Sequence, residues 1–510
     1  MAYATDYTTL LTGSYWSGAE VTGQPVFITY SFDATAPASD AGNLAPSAYA
    51  TFTPFTAAQQ AQAQQALTDW SSASTIAGGG SAIIFLEVAP GKGDINFAAY
   101  NFSSDPNAKY SGGEGFYPWG NWNYSTGQPG TIHFGADLAG AGNILMNTDP
   151  AFETGGLFSY QTVLHEIGHA IGLKHPTDAW TNYVDGDAIV HNQYDPNTYF
   201  GTFSIMSPFA TSLTEPTAND WQAIQSIYGT PAQAAQQDKS WSWNAHTNTL
   251  TQVLKPGGQT VRGVSTNNII AGGSGSDVIY AIGAGTNTVY GRGGNDILVG
   301  GSGVSYLDGG PGADTLNGWF GTSYASYRDA KSGIVANLVR PSLNTGDATG
   351  DIYLHLSGLV GSNFADTLVA DNNGDVLIGG LGADTLVGGS GDDTFVYKTI
   401  GDSTPAGPDL IENFHAGDKI DVSAIDANTG LPGHQAFHIG ATQGHAGDIV
   451  ITYDPVNNRT VADLYDNSTG VPDGRIWLAG DQALTAADFV LKAGNAAASP
   501  PASPAALASA

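Results

Sequence analysis

From residue 263 onward the chain repeats itself every nine residues, and nothing else in it restricts the fold so tightly. Against the pattern G-G-x-G-x-D-x-U-x, with U a large apolar residue, residues 272–280 read GGSGSDVIY, 291–299 GRGGNDILV and 309–317 GGPGADTLN. Weaker copies at 263–271, 282–290 and 300–308 carry Asn268, Asn287 and Ser305 at the aspartate position. A second block, 361–396, places aspartates at 366, 375, 384 and 393. The U position holds Ile270, Ile279, Val289, Leu298, Leu307, Leu316, Leu368, Leu377, Leu386 and Phe395, all apolar and all in phase with the acids. Glycine allows a tight turn with positive φ and close backbone approach. The x-U-x part is a short strand with one side chain inward. Two repeats then make one coil of a parallel β-roll cored by the U residues.

The acids have a further consequence. Asp277 should stack on Asp296, Asp296 on Asp314, Asp366 on Asp384, and Asp375 on Asp393. Carboxylates and turn carbonyls are hard oxygen ligands of the kind Ca²⁺ takes. The seven aspartates are therefore candidate calcium ligands, and residues 263–400 are expected to fold when calcium is supplied. The charge balance agrees. Basic residues number 15 and acidic ones 46, a net −31. Such a polyanion is a poor partner for nucleic acid and for anionic membrane surfaces. No stretch approaches the roughly 20 apolar residues of a membrane span, and the start of the chain lacks a secretory leader pattern. The absence of cysteine excludes disulfides and thiolate metal sites.

Residues 1–228 read as a mixed domain. Strands are expected at 25–32, 81–88 and 94–100, and helices at 57–70, 160–171 and 220–228, the last with Asn219 as its N-cap. Residues 103–130, rich in Gly, Asn, Tyr and Trp, read as loop. Residues 229–262 read as a polar linker with a strand at 240–243. The insert 318–360 is less regular and strand-rich. Residues 401–491 form another compositional unit, and 492–510 an Ala/Pro/Ser-rich disordered tail.

The chemistry is concentrated in His165-Glu166-Ile167-Gly168-His169-Ala170-Ile171-Gly172-Leu173-Lys174-His175. On a helix His165 and His169 share a face and hold one metal ion. Gly172 stops the helix in a left-handed conformation and turns the chain so that His175 supplies a third ligand. Three imidazoles and one open position describe catalytic zinc, which makes hydroxide available near neutral pH. Glu166 is placed to take the proton of the attacking water as general base. His133 and His191 have no ligand spacing.

This motif resembles that of the metzincin zinc proteases, and Pro176 after it resembles the serralysin branch. Ser204-Ile205-Met206 resembles the family's Met-turn, which implies that Met206 supports the histidines from beneath without binding metal. Asn219 to Gly229 is similar to the helix that closes serralysin catalytic domains, the nonapeptides to the RTX β-roll, and 393–491 to the serralysin C-terminal domain. The resemblance implies an α+β metzincin-like catalytic domain, then an all-β parallel β-roll and a C-terminal β domain. It also implies one Zn²⁺, several structural Ca²⁺, protein or peptide substrates, and export to the extracellular medium by type I secretion machinery reading a C-terminal signal. One departure stands out. Serralysins carry a tyrosine two residues after the Met-turn methionine, and this chain has Pro208 there; Tyr194 and Tyr199 are near in sequence. The alternative reading is a calcium-dependent surface or matrix protein with a weak or inactive protease domain.

Overall fold

The computed structural model describes Leu11, residues 23–105 (apart from 43, 72 and 76–78), 113–115, 122–123, 128–129, 142–148, 160–173, 204–206 and 213–491 (apart from 320, 441–443 and 468). The chain forms two compact units, Met1–Leu250 with Thr260–Thr266, and Thr251–Gln259 with Asn267–Ala510.

In the first unit the strands expected from the β-branched runs form at Val26–Phe32, Ile83–Glu87 and Ile95–Tyr100. Val26–Phe32 lies centrally, parallel to both others, and Ile95–Tyr100 pairs in parallel with Ile144–Asn147. Gly113–Gly115 closes the edge antiparallel to Ile144–Asn147. That strand falls within the segment read as loop, because its glycines carry no periodic apolar signal. Helix Ala57–Trp70 begins at Thr56, whose backbone N–H donates to the Gln59 side chain at 2.7 Å, one half of a capping box. The core of this unit includes Ile28, Leu67, Trp70, Phe97, Leu164, Ile167, Ile224 and Tyr228.

The closing helix corrects an expectation. It spans Ala218–Tyr228 and its N-cap is Thr217, not Asn219. The Thr217 N–H and hydroxyl both donate to Asp220, at 2.7 and 2.8 Å. A threonine with an acid three residues on satisfies more of the first turn than an isolated asparagine does. The segment read as a linker holds helix Pro231–Gln237 and strands Asp238–Asn244, Thr249–Leu254 and Thr260–Arg262.

The second unit is the β-roll. One parallel sheet runs Asn267–Ala271, Thr286–Tyr290, Val304–Asp308, Thr322–Ser326, Gly358–Val360, Val376–Ile378, Thr394–Val396, Lys419–Asp421 and Phe489–Val490. Facing strands alternate with these in sequence, such as Val278–Tyr280, Ile297–Val299 and Thr315–Asn317 in the first block. All ten U side chains are 0% exposed, so the nine-residue phase does set the core. The insert 318–360 supplies coils as well. Ile352–Leu354 registers on Thr315–Asn317, which places Asp351 beneath Asp314. After the roll, Gly474–Ala479 pairs with Asp409–Glu412, and the antiparallel strands Arg459–Leu464 and Asp448–Asp454 follow. Among the described residues no helix is long and apolar enough to cross a membrane.

Leu298 is fully buried while its neighbour Ile297 is 42% exposed. Leu298→Ala should therefore cost about 2–5 kcal/mol and Ile297→Ala less than about 0.5 kcal/mol. Denaturant midpoints of the calcium-loaded protein compare the two.

Candidate metal centre

Helix Tyr160–Ala170 buries Val163, Leu164, Ile167 and Ala170. It is held from two sides. The Trp70 indole N–H donates to the Leu164 carbonyl at 2.9 Å, and the Tyr228 hydroxyl to the Ile171 carbonyl at 3.0 Å. His165, Glu166 and His169 come together on this helix, with one ligand atom of each within 4.8 Å of the others. Glu166 and His169 are buried, and the two imidazoles meet edge to face with centroids 4.8 Å apart.

Both rings are fixed through Nδ1. His165 Nδ1 lies 2.8 Å from the Ile205 carbonyl oxygen and His169 Nδ1 lies 2.8 Å from that of Leu173. A carbonyl only accepts, so each Nδ1 carries the proton, and in the neutral ring Nε2 then carries the lone pair. That is the tautomer a metal-binding histidine adopts, oriented by its outer hydrogen bond.

The helix end provides one of those carbonyls. Gly172 has φ 101°, in the left-handed region as the sequence predicts. The Gly172 N–H donates to His169 O and the Leu173 N–H to Gly168 O, each at 2.9 Å. The second bond is the six-to-one closure of a Schellman stop. It brings the Leu173 carbonyl back under the His169 ring.

The turn Ser204-Ile205-Met206 provides the other carbonyl, and all three residues are fully buried. The Met206 N–H donates to Ser204 Oγ at 2.9 Å, and the Ile205 N–H to Asp220 Oδ2 at 2.9 Å. Ser204 Oγ also donates to Asp220 Oδ1. Met206 does lie against the motif helix, because its sulfur occupies the space beside Gly168 that a β-carbon would need. The sequence alone assigned no supporting role to Gly168 or Asp220. The Thr217-x-x-Asp220 pattern was the available signal for the second. His175, Pro208, Tyr194, Tyr199, His133 and His191 lie outside the described residues.

In the roll the four expected aspartate pairs stack through one repeated bond. The backbone N–H of each aspartate donates to Oδ1 of the next in its row: Asp277 to Asp296 at 2.7 Å, Asp296 to Asp314 at 2.8 Å, Asp366 to Asp384 at 2.9 Å and Asp375 to Asp393 at 2.7 Å. The rows continue beyond the nonapeptides, from Asp314 to Asp351, Asp384 to Asp409 and Asp393 to Asp418, each at 2.9 Å. Oδ2 of Asp296, Asp314 and Asp384 is buried and accepts no hydrogen bond. Gly291, Gly309 and Gly379, the first residues of the same repeats, lie so close over these oxygens that a β-carbon would collide with them. Buried carboxylate oxygens lacking donors, in a glycine cradle, fit a hard cation.

Gly168→Ala should destabilise the protease unit by about 1–3 kcal/mol through overpacking on Met206. Met206→Ala should then cost less in the Gly168→Ala background than in the wild type. Equal costs in a double-mutant cycle would remove the contact from the account.

Known proteins are similar to this chain in sequence. The family described as Peptidase M10 serralysin C terminal matches residues 350–491, and RTX calcium-binding nonapeptide repeats match at 262–298, 283–307 and 290–324. Metallopeptidase AprA of Pseudomonas marginalis is 32% identical over 460 residues, covering 85% of this chain and 80% of that protein. Serralysin G of Dickeya chrysanthemi is 31% identical over 465 residues, covering 87% and 81%. Metalloprotease AprA of Pseudomonas entomophila is 30% identical over 437 residues, covering 80% and 74%. With the motif helix, its supporting turn and the calcium-binding repeats in one chain, this protein belongs to the serralysin family of metalloendopeptidases.

Proposed function

We propose that the chain is a secreted, zinc-dependent endopeptidase that cleaves extended protein segments. In this reading residues 1–228 carry the chemistry, 263–400 form the calcium roll and 401–491 the C-terminal export domain. The observation that carries the zinc reading is the pair of Nδ1–H···O=C bonds, which set His165 and His169 in the metal-binding tautomer beside Glu166. His165, His169 and His175 would hold the ion. Zinc in such a site supplies Lewis-acid activation of water and of the scissile carbonyl. The protein's own part is proton transfer and orientation. Glu166, buried next to the ligands, accepts the proton of the attacking water and returns it to the leaving amine.

Glu166→Ala should lower cleavage of an unfolded protein substrate by about 10²–10⁴-fold while zinc content, read by elemental analysis, stays at the wild-type level. Equal turnover in the two proteins would refute the assignment. Zinc bound with no turnover on a broad peptide library would favour the surface-protein alternative, which the sequence raises through Pro208.

The aspartate rows are proposed as the calcium sites, with Asp277, Asp296, Asp314, Asp366, Asp375, Asp384 and Asp393 as ligands. Burial, and behind it the neighbouring aspartates, pushes the Asp314 and Asp384 carboxyls up to about 7 when no cation is present. A carboxyl raised in the folded state favours folding below its ordinary range near 4, and that contribution is lost as pH rises through 7. Calcium replaces the protons. This supports export of an unfolded roll from low cytoplasmic calcium through type I machinery, with folding in millimolar calcium outside. Circular dichroism of the full chain in chelator should show more β-structure at pH 5 than at pH 8, and added calcium should restore it at pH 8. A chelator-treated signal independent of pH and calcium would overturn the scheme.

A further inference from the structure

We propose that Asp220 is a positioning residue for His165, acting through the turn Ser204-Ile205-Met206. The inference rests on the zinc reading above and adds a residue outside the eleven-residue motif.

Asp220 is fully buried, and its carboxylate collects four donors: the Ser204 hydroxyl, the Ile205 N–H at 2.9 Å, the Thr217 N–H at 2.7 Å and the Thr217 hydroxyl at 2.8 Å. Burial raises its carboxyl, and these donors pull the other way. Four converging donors are the environment of an ionised, acceptor-only group. One of them, the Ile205 N–H, belongs to the residue whose carbonyl accepts His165 Nδ1–H at 2.8 Å. The Ile205 carbonyl itself lies in the next peptide group, whose Met206 N–H donates to Ser204 Oγ, and Ser204 Oγ donates to Asp220. The bonds therefore run in series from the Asp220 carboxylate to the Ser204 hydroxyl to that peptide group to the imidazole.

Two effects follow. The first is geometric. The peptide groups on both sides of Ile205 are held at their N–H, one by Asp220 and one by Ser204, so the Ile205 carbonyl fixes the plane of the His165 ring. The second is electronic. Hydrogen bonds in series polarise one another, so the charge on Asp220 makes the Ile205 carbonyl a stronger acceptor. A stronger acceptor at Nδ1 makes Nε2 more basic. His169 has a different support, the Leu173 carbonyl of its own helix end. Of the two described ligands, His165 is the one that depends on a charge fifteen residues past the turn that touches it. Ser204 is a link in that series, because its hydroxyl joins Asp220 to the Met206 N–H. Ser204→Ala breaks the series, whereas Thr217→Ala removes one donor to Asp220 and leaves the series whole.

The test measures zinc affinity by chelator competition in the full chain, calcium-loaded, for wild type, Asp220→Asn, Ser204→Ala and Thr217→Ala. Melting temperature and the Co²⁺-substituted absorption spectrum are recorded in parallel. Asp220→Asn should weaken zinc binding by about 10–100-fold, the scale of lost outer-sphere support. It should also shift the Co²⁺ spectrum and lower kcat with little change in KM. Ser204→Ala should weaken zinc binding as well, and Thr217→Ala should lose thermal stability and keep zinc affinity within about threefold, as the unbroken series to the ligand requires. Wild-type affinity in Asp220→Asn overturns the proposal, as does a loss in all three variants in proportion to their melting temperatures. The wild-type apo protein gives a readout that requires no variant. Its His165 Nδ1 proton should exchange slowly by NMR, and rapid exchange breaks the chain of bonds. Wild-type protein that holds no zinc would bring down the zinc reading itself, and this inference with it.

Discussion

A buried aspartate accepting the backbone N–H of a residue far along the chain is the interaction on which both halves of this protein are built. In the roll it joins coils 18 or 19 residues apart, as from Asp296 to Asp314 and from Asp277 to Asp296. In the protease unit it joins Ile205 to Asp220, 15 residues apart. The bond is charge-assisted, and a charged acceptor roughly doubles its strength. It also gives the buried carboxylate part of the solvation that burial removes. This explains the odd acid composition. Of 46 acidic residues only seven are glutamate. A turn that must place a carboxylate under the next coil has room for one methylene, and each added rotor costs entropy to fix.

The same bond leaves different chemistry at the two places. Along the roll Asp296, Asp314 and Asp384 each accept one aspartate N–H at Oδ1, and their second oxygen accepts none. Rows of such oxygens demand a proton or a hard cation. At Asp220 both oxygens are filled by donors, so the carboxylate is a fixed internal charge with no demand for metal. The proposed metal ligands described in the protease unit, His165 and His169, are instead imidazoles, each turned by a backbone carbonyl. On that proposal one chain separates a borderline-soft site of nitrogen ligands from hard sites of oxygen ligands, and a chelator acts on both at once.

The insert at 318–360 shows where periodicity stops being visible before the structure stops being periodic. Residues 346–354, GDATGDIYL, retain only the first glycine, the aspartate and a large residue at the U position, here Tyr353. Tyr353 registers on Leu316, and the Tyr327 hydroxyl donates to Asp351 at 2.7 Å and meets Tyr353 at 2.5 Å. At this coil a phenol fills the position beside the aspartate. The pairing geometry tolerates that exchange because register is set by the backbone, whereas a pattern read from side chains does not register it.

The sequence by itself determined the roll, its core and the helix that carries His165, Glu166 and His169. Those features are periodic, and a period of nine or of 3.6 fixes which side chains share a face without reference to anything distant. It also placed Gly172 at the helix stop, since few residues take a left-handed φ at low cost. The Met-turn resemblance already put Met206 beneath the histidines; only the tertiary structure decided what turns the imidazoles and where Met206 meets the motif helix. The Ile205 carbonyl, the Asp220 charge and the Met206 sulfur against Gly168 come from segments 30 or more residues beyond the motif helix. Contacts between such segments depend on how the closing helix docks, and docking leaves no period in a sequence. The Asn219 cap expected from local preference gave way to Thr217 for the same reason: Asp220 serves the helix start and the Met206 turn together, and that shared use exists only once the two have met.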